Sequence, residues 1–272
     1  MADYLRASRK IGNVHFSKGV NDSDRNDIIG RMLGHLVPYK QHSYFEDFLA
    51  YDIDDWTITK VEAGSGAASL LPVDGSGGVL KITNDNAASD QVNIQLGNNS
   101  GSNGSFFFNL SESLWFDCRL KFSDISSSNI EAFIGLNTPD TSLGVFDSKD
   151  SLGFFFDSLI GSYPLFVFSN FDNGGNFEGN NDAFASANIA NDEFFNISIV
   201  WNAKEKSLSA YINDILFARR RLNLSDPLGL LSLLPRETHG MTPTLQIKNL
   251  NTATNSMSID YIWVGQESKG RS

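Results

Sequence analysis

Apolar and polar residues alternate with a period of two along much of this chain, most clearly from Phe194 to Arg219. Phe195, Ile197, Ile199 and Trp201 alternate with Phe194, Asn196, Ser198 and Val200, which places the first set on one face of a strand. The polar run Asn202 to Ser207 turns the chain. Leu208, Ala210 and Ile212 then alternate with Ser209, Tyr211 and Asn213. Asn213-Asp214 predicts a short turn, because both side chains tolerate positive φ. Ile215 and Phe217 carry a third strand. No helical spacing fits as well, and a meander with one apolar face needs a second layer to cover it.

The same pattern predicts strands over Tyr44–Leu49, Asp55–Val61, Val79–Thr83, Gln91–Leu96, Leu114–Phe122 and Ile130–Leu136. Leu152–Asp157 and Tyr163–Phe168 form a hairpin, and Leu245–Lys248 and Met257–Val264 close the chain. Gly64–Gly78 reads as a loop or hairpin, Gly97–Ser105 and Phe171–Ala190 as loops, and Leu222–Leu234 as a loop with one helical turn. About thirteen strands without recurring helices exclude a βαβ architecture. The expectation is an all-β, two-sheet jelly-roll sandwich over 44–272.

Residues 1–43 differ. Asp22 or Ser23 caps a short helix in which Ile28, Ile29, Met32, Leu33 and Leu36 recur at helical spacing, and Val37-Pro38 ends it. We expect an extended arm with one amphipathic helix. The helix packs either on its own body or on a neighbouring subunit.

Charge sharpens that division. Of the chain's 21 Lys/Arg and 32 Asp/Glu, seven basic residues and four acidic ones lie in 1–43, which gives +3 there and −14 in the remainder. Arg6, Arg9 and Lys10 lead the basic set. An acidic body argues against nucleic acid as partner. The 21 Phe against 4 Trp and 7 Tyr are expected between layers, since Phe has no polar handle. Cys118 is the single cysteine, so there is no disulfide framework, and it reads as a buried small hydrophobe. No signal-peptide core or membrane-length apolar run is present, so we expect assembly in a cytoplasm and no membrane partner.

Three pieces resemble concanavalin A-like, or laminin G-like, jelly-roll domains. They are Phe-Glu-Asp-Phe at Phe45–Phe48 with Asp54-Asp55-Trp56, the Trp strand and Ala-Tyr-Ile-Asn-Asp hairpin within Phe194–Phe217, and the closing Ser-Ile-Asp-Tyr-Ile-Trp-Val from Ser258. Asp214 stands where such domains commonly have Gly. Many members of this fold are glycanases with Glu-x-Asp-x-x-Glu on one strand. No Glu here is followed two positions later by Asp, and Asp260 alone is not a paired system, so no enzymatic activity is expected.

In texture the chain is also similar to tailed-phage virion proteins: a partly basic arm precedes an Asn/Ser/Gly-rich, cysteine-poor sandwich. That resemblance implies a non-enzymatic, oligomeric virion structural protein on the capsid exterior. There the arm, through Arg6, Arg9, Lys10, Ile28, Met32, Leu33 and Leu36, fastens it to capsid or sister subunits. The alternative is a carbohydrate-binding head- or tail-fibre module that attaches to host glycans.

Arg219-Arg220-Arg221 is a basic cluster on the acidic body, either a solvated strand end or an ion-pair anchor to an acidic neighbour. No cofactor is expected. Laminin G-like domains often hold Ca2+ near a sheet rim, and Phe171–Asp182 is rich in oxygen ligands. Its spacing fails the EF-hand pattern because Gly174 falls where the third ligand should be. His15, His35, His42 and His239 make no metal pair, and no nucleophile elbow, phosphate loop or dinucleotide fingerprint appears.

Overall fold

The structure, a computed structural model, describes residues 41–49, 51–73, 78–97, 104–125, 130–140, 150–157, 164–169, 189–222 and 234–267. Residues 1–40 of the expected arm and helix, the Phe171–Asp182 loop and the helical turn expected between Leu222 and Leu234 lie outside the described residues, whereas Gln41–Ser43, expected in the arm, begin the first strand.

Fifteen strands run through the described residues in chain order. They are β1 (Gln41–Glu46), β2 (Trp56–Val61), β3 (Ser69–Val73), β4 (Val79–Thr83) and β5 (Gln91–Leu96). There follow β6 (Phe106–Phe107), β7 (Leu114–Phe122), β8 (Ile130–Asn137), β9 (Ser151–Asp157) and β10 (Pro164–Ser169). The last are β11 (Phe195–Asn202), β12 (Ser207–Ile212), β13 (Ile215–Arg221), β14 (Gly240–Asn249) and β15 (Ser256–Glu267). One turn of 3-10 helix, Ile53–Asp55, precedes β2.

The strands form two antiparallel sheets. The first has the order β13-β12-β11-β7-β15-β4-β3, with β1 also paired to β15. The second has the order β10-β9-β8-β14-β5-β2, with β6 paired to β14. β3 supplies a strand within the loop or hairpin expected over 64–78 and pairs with β4, whereas β6 was not foreseen because it is too short to show a period. The Asn213-Asp214 turn forms as expected, with φ of 50° and 65°, between β12 and β13.

The core lies between the sheets and is rich in phenylalanine. Phe122 of the first sheet stands 5.1 Å, centroid to centroid, from Phe156 of the second. Phe217 stands 5.8 Å from Phe154. Phe195, Ile199, Trp201, Phe217 and Ile259 are buried there as their alternation requires. Cys118 is buried too, and burial pushes its thiol pKa well above its ordinary value.

Tyr261 departs from that alternation. The register of β15 on β7 pairs Ile259 with Leu120 and then Tyr261 with Arg119, leaving Asp260 as an extra residue. Such a bulge reverses the facing of everything after it. Ile262 and Val264 therefore join the core, while Tyr261 and Trp263 turn to the opposite face and stay part-exposed.

At one end the sheets are tied by buried amides. Asn84, after β4, donates from Nδ2 to the carbonyls of Asp90 (3.1 Å) and Ile247 (3.3 Å). Asn255 donates to Asn249 Oδ1 at 3.2 Å, and Asn249 Nδ2 donates to the Ala253 carbonyl at 3.0 Å. These bonds join the ends of β4 and β14, one from each sheet.

Candidate functional site

β5 and β14 each send aliphatic residues inward, Val92, Ile94, Leu245 and Ile247, and amides or hydroxyls outward. Register aligns the outward residues of the second sheet into rows. One row reads Thr57, Gln95, Thr244, Gly135, Gly153, Val167. The next reads Thr59, Asn93, Gln246, Phe133, Phe155, Leu165. A third carries Val61, Gln91, Lys248 and Glu131. In the second of these rows a hydroxyl and amides give way to the phenylalanines Phe133 and Phe155. Gly153 makes room for the Phe133 ring, whose atoms would lie 2.5 Å from any Cβ placed there.

Part of this face is closed by the chain after β8. The Asp140 amide donates to Gln95 Oε1 at 2.9 Å, and Gln95 Nε2 donates to Thr244 Oγ1 at 3.0 Å. Asn93 Nδ2 reaches the Asp140 carbonyl at 3.5 Å, while its Oδ1 is buried with no donor. Leaving such an acceptor unmet costs about 1–3 kcal/mol. Beside it Thr59, Gln246 and Phe155 are half-exposed. Lys248 Nζ donates to Glu131 Oε2 at 2.8 Å, and Asp157 stands opposite Glu131 in the same row. Amides that donate and accept, together with a ring, suit a hydroxyl-rich ligand.

Two further polar clusters flank the sheets. Asp150, fully buried, accepts from His239 Nδ1 at 2.7 Å and Arg236 Nε at 3.3 Å. Arg236 Nη2 also lies 3.2 Å from His239 Nε2. This arrangement anchors a buried carboxylate, and no serine, threonine or cysteine nucleophile is bonded to that histidine among the described residues. Near β1, Glu46 Oε1 accepts from the Phe48 amide at 2.7 Å, and Tyr44 donates to its Oε2 at 3.3 Å. Burial raises the Glu46 pKa, against the opposing pull of those bonds, and also raises that of the Tyr44 phenol. No group of three or more metal-ligating side chains occurs among the described residues.

Arg6, Arg9, Lys10, Ile28, Met32, Leu33 and Leu36 lie outside the described residues. Arg219, Arg220 and Arg221 sit on β13, the edge strand of the first sheet. They stand opposite Ser209, Leu208 and Ser207, so alternation sends them to different faces. Arg219 Nη2 bonds Glu205 Oε2 at 2.6 Å, across the turn that joins β11 to β12. Asp260, at the bulge, pairs with Arg119.

Sequence reading did not single out the second-sheet face. Its signal was the alternation in Gln91–Leu96 and Thr244–Lys248, in which amides take the outward positions, but only register shows that the two align.

No protein-family model and no curated protein matches the chain. Solved structures do. A protein of unknown function from Shewanella oneidensis MR-1 is 10% identical, with TM-score 0.53 over 94% of this chain and 99% of that one. The basic winged bean lectin, solved with Tn-antigen, is 10% identical, with TM-score 0.53 over 85% and 100% of the two chains. The endo-1,3-beta-glucanase from Streptomyces sioyaensis is 11% identical, with TM-score 0.52 over 84% and 97%. At such identities the likeness is one of fold. The body is a concanavalin A-like jelly-roll sandwich, an architecture it shares with lectins and glucanases alike.

Proposed function

We propose that this chain is a non-catalytic carbohydrate-binding module. Its ligand rests on the outward face of the second sheet, beside Thr59, Gln246 and Phe155. The observation that carries the reading is that one register row presents a hydroxyl, an amide and a ring at the surface, Thr59, Gln246 and Phe155, with Asn93 and Phe133 buried between them. Sugars present hydroxyls at their edges and C–H groups on their faces, and such a row answers both. Lectins and glucanases on the same fold support the class of ligand.

Catalysis is argued against by the carboxylates. Glu131 is tied to Lys248, and the Glu-x-Asp-x-x-Glu strand of the glycanases is missing. Glu131 does stand opposite Asp157 in register, so the point is open to experiment. We expect no reducing-sugar release from β-glucans above a heat-killed control. Release abolished by Glu131→Gln would overturn the non-catalytic reading.

The binding test is titration of the full chain with a panel of neutral oligosaccharides. Gln246→Ala and Phe155→Ala should each weaken the best binder by roughly tenfold, about 1.4 kcal/mol. Unchanged affinity in both would refute this location.

A second reading is kept for the charge asymmetry of +3 in 1–43 against −14 in the rest. On it the module is a phage structural component, held on the capsid exterior by its arm. Co-purification with DNA-filled heads supports it, and absence from purified particles sinks it.

A further inference from the structure

The outward face of the first sheet carries a polar site of its own, on the other side of the sandwich from Gln246 and Phe155. Leu80 and Ile82 of β4 point into the core, as do Met257 and Ile259 of β15 and Leu120 and Phe122 of β7. Alternation therefore turns Lys81, Ser258 and Lys121 outward. Register sets the three side by side on neighbouring strands, Lys81 opposite Ser258 and Ser258 opposite Lys121. In the next row Thr83 stands opposite Ser256, whose amide donates to Ser123 Oγ at 2.9 Å. Two lysines thus flank a serine, with a row of hydroxyls beside them.

The central hydroxyl and both cations have bonding capacity to spare. Ser258 is 5% exposed, yet its Oγ has no hydrogen-bond partner among the described residues. Lys81 is exposed and has no carboxylate partner among the described residues. Lys121 Nζ lies 3.6 Å from Asp192 Oδ1, beyond hydrogen-bond length, and that side chain is 71% exposed. An exposed pair of this kind contributes little and leaves the ammonium's donors open. Phe194 steadies the lysine instead: its ring centroid is 5.3 Å from Lys121 Nζ and 4.7 Å from the Arg119 guanidinium. Arg119 is paired with Asp260, so the charge left over belongs to the two lysines. They repel one another across a single strand, and an anion between them removes that cost.

We propose that Lys81, Ser258 and Lys121 bind a tetrahedral oxyanion, the phosphate or sulfate group of a small ligand. The Ser258 hydroxyl donates to one oxygen from the floor, and the ammonium groups close on the others from either side. Their strands are two apart, about 10 Å at about 4.8 Å per step, which two lysine side chains span around one such group. Lysine meets phosphate as a compact charge with three donors, and such charge-assisted bonds are stronger than neutral ones. Two cations also match a doubly charged oxyanion better than the single charge of chloride. The site does not depend on the carbohydrate reading.

Calorimetric titration of the full chain with inorganic phosphate and with sulfate tests this, at an ionic strength held constant with sodium chloride. One saturable site per chain is expected. Lys81→Gln and Ser258→Ala should each weaken it by about tenfold or more. Lys204→Gln, which removes an exposed lysine in the turn between β11 and β12, should leave it unchanged. Should Ser258→Ala melt early by circular dichroism, Lys81→Gln carries the test, because its side chain is exposed. Glucose 6-phosphate binding tighter than inorganic phosphate identifies an ester as the source, and equal binding a free ion; either agrees with the site. No saturable heat with any of these anions overturns the proposal. So does an equal loss in Lys81→Gln and Lys204→Gln, because binding would then follow net charge alone.

Discussion

Replacing Trp201 tests the sandwich at its centre. The side chain is 0% exposed, its ring lies 5.0 Å from Phe108, and its Nε1 donates to the Asn109 carbonyl at 3.0 Å. It stands between Leu114 of β7 and Leu208 of β12, so its loss empties the first sheet's inward face at that point. A buried aromatic removes about 150–250 Å2 from water, or about 4–6 kcal/mol at 25 cal/mol per Å2. Alanine keeps part of that, and measured large-to-small changes of this kind cost about 3–5 kcal/mol. The Asn109 carbonyl also loses its donor, which places Trp201→Ala near the top of that range. Trp201→Phe keeps most of the volume and forfeits the bond, so about 1–2 kcal/mol is expected. Urea unfolding, followed by far-UV circular dichroism, gives both numbers at constant slope. A loss below about 1 kcal/mol for Trp201→Ala would mean that the neighbours collapse into the space, and that the inward face is not packed as described.

Two further outcomes are expected. Burial, the largest influence, raises the Glu46 carboxyl pKa in the folded state, so the fold binds that proton more tightly than the unfolded chain does. Its contribution is then fully present below the unfolded pKa and is lost as pH rises through the folded one. Glu46→Gln should accordingly compare better with wild type at about pH 7 than at about pH 4 in paired denaturant melts, and the opposite order would contradict the assignment. Asn249→Ala removes an amide that accepts from Asn255 and Asn84 and donates to the Ala253 carbonyl. It should cost about 2–4 kcal/mol by the same melts, and a change within 0.5 kcal/mol would show that the amide tie between the sheets carries little.

Strand positions were largely legible because period two is a property of sequence. Val79–Thr83, Gln91–Leu96 and Leu114–Phe122 form strands with the bounds their alternation predicts. Asn213-Asp214 was legible because few residue pairs suit a turn with two positive φ values. The face of Tyr261 was not, because a bulge is a property of pairing: Asp260 is extra only relative to Arg119 and Leu120 across the ladder. The candidate site was illegible for the same reason. Asn93, Gln246 and Phe155 are far apart in sequence, and they meet only through strand order β9-β8-β14-β5. Asp150 and His239 are likewise separated by 89 positions, and neither has a local pattern to announce the pair.

The two sheets use their outward faces differently, and the strands record it. In β5 the outward positions are amides, and in β14 they are threonine, glutamine and lysine. In β7 the run Leu114-Trp115-Phe116-Asp117-Cys118 has almost no polar interruption, and Ile199-Val200-Trp201 in β11 has none. Unbroken apolar runs belong to strands buried on both sides, whereas in β14 the outward positions still reach water at Gln246 and Lys248. β7 and β11 are central in the first sheet, so a cover is required where they cross and not at the edges. The edges agree: Leu71 on β3 and Leu216 on β13, which stands opposite Tyr211, are exposed. The dry strip is therefore confined to the middle of one face, where Trp115, Val200 and Tyr211 lie on three neighbouring strands.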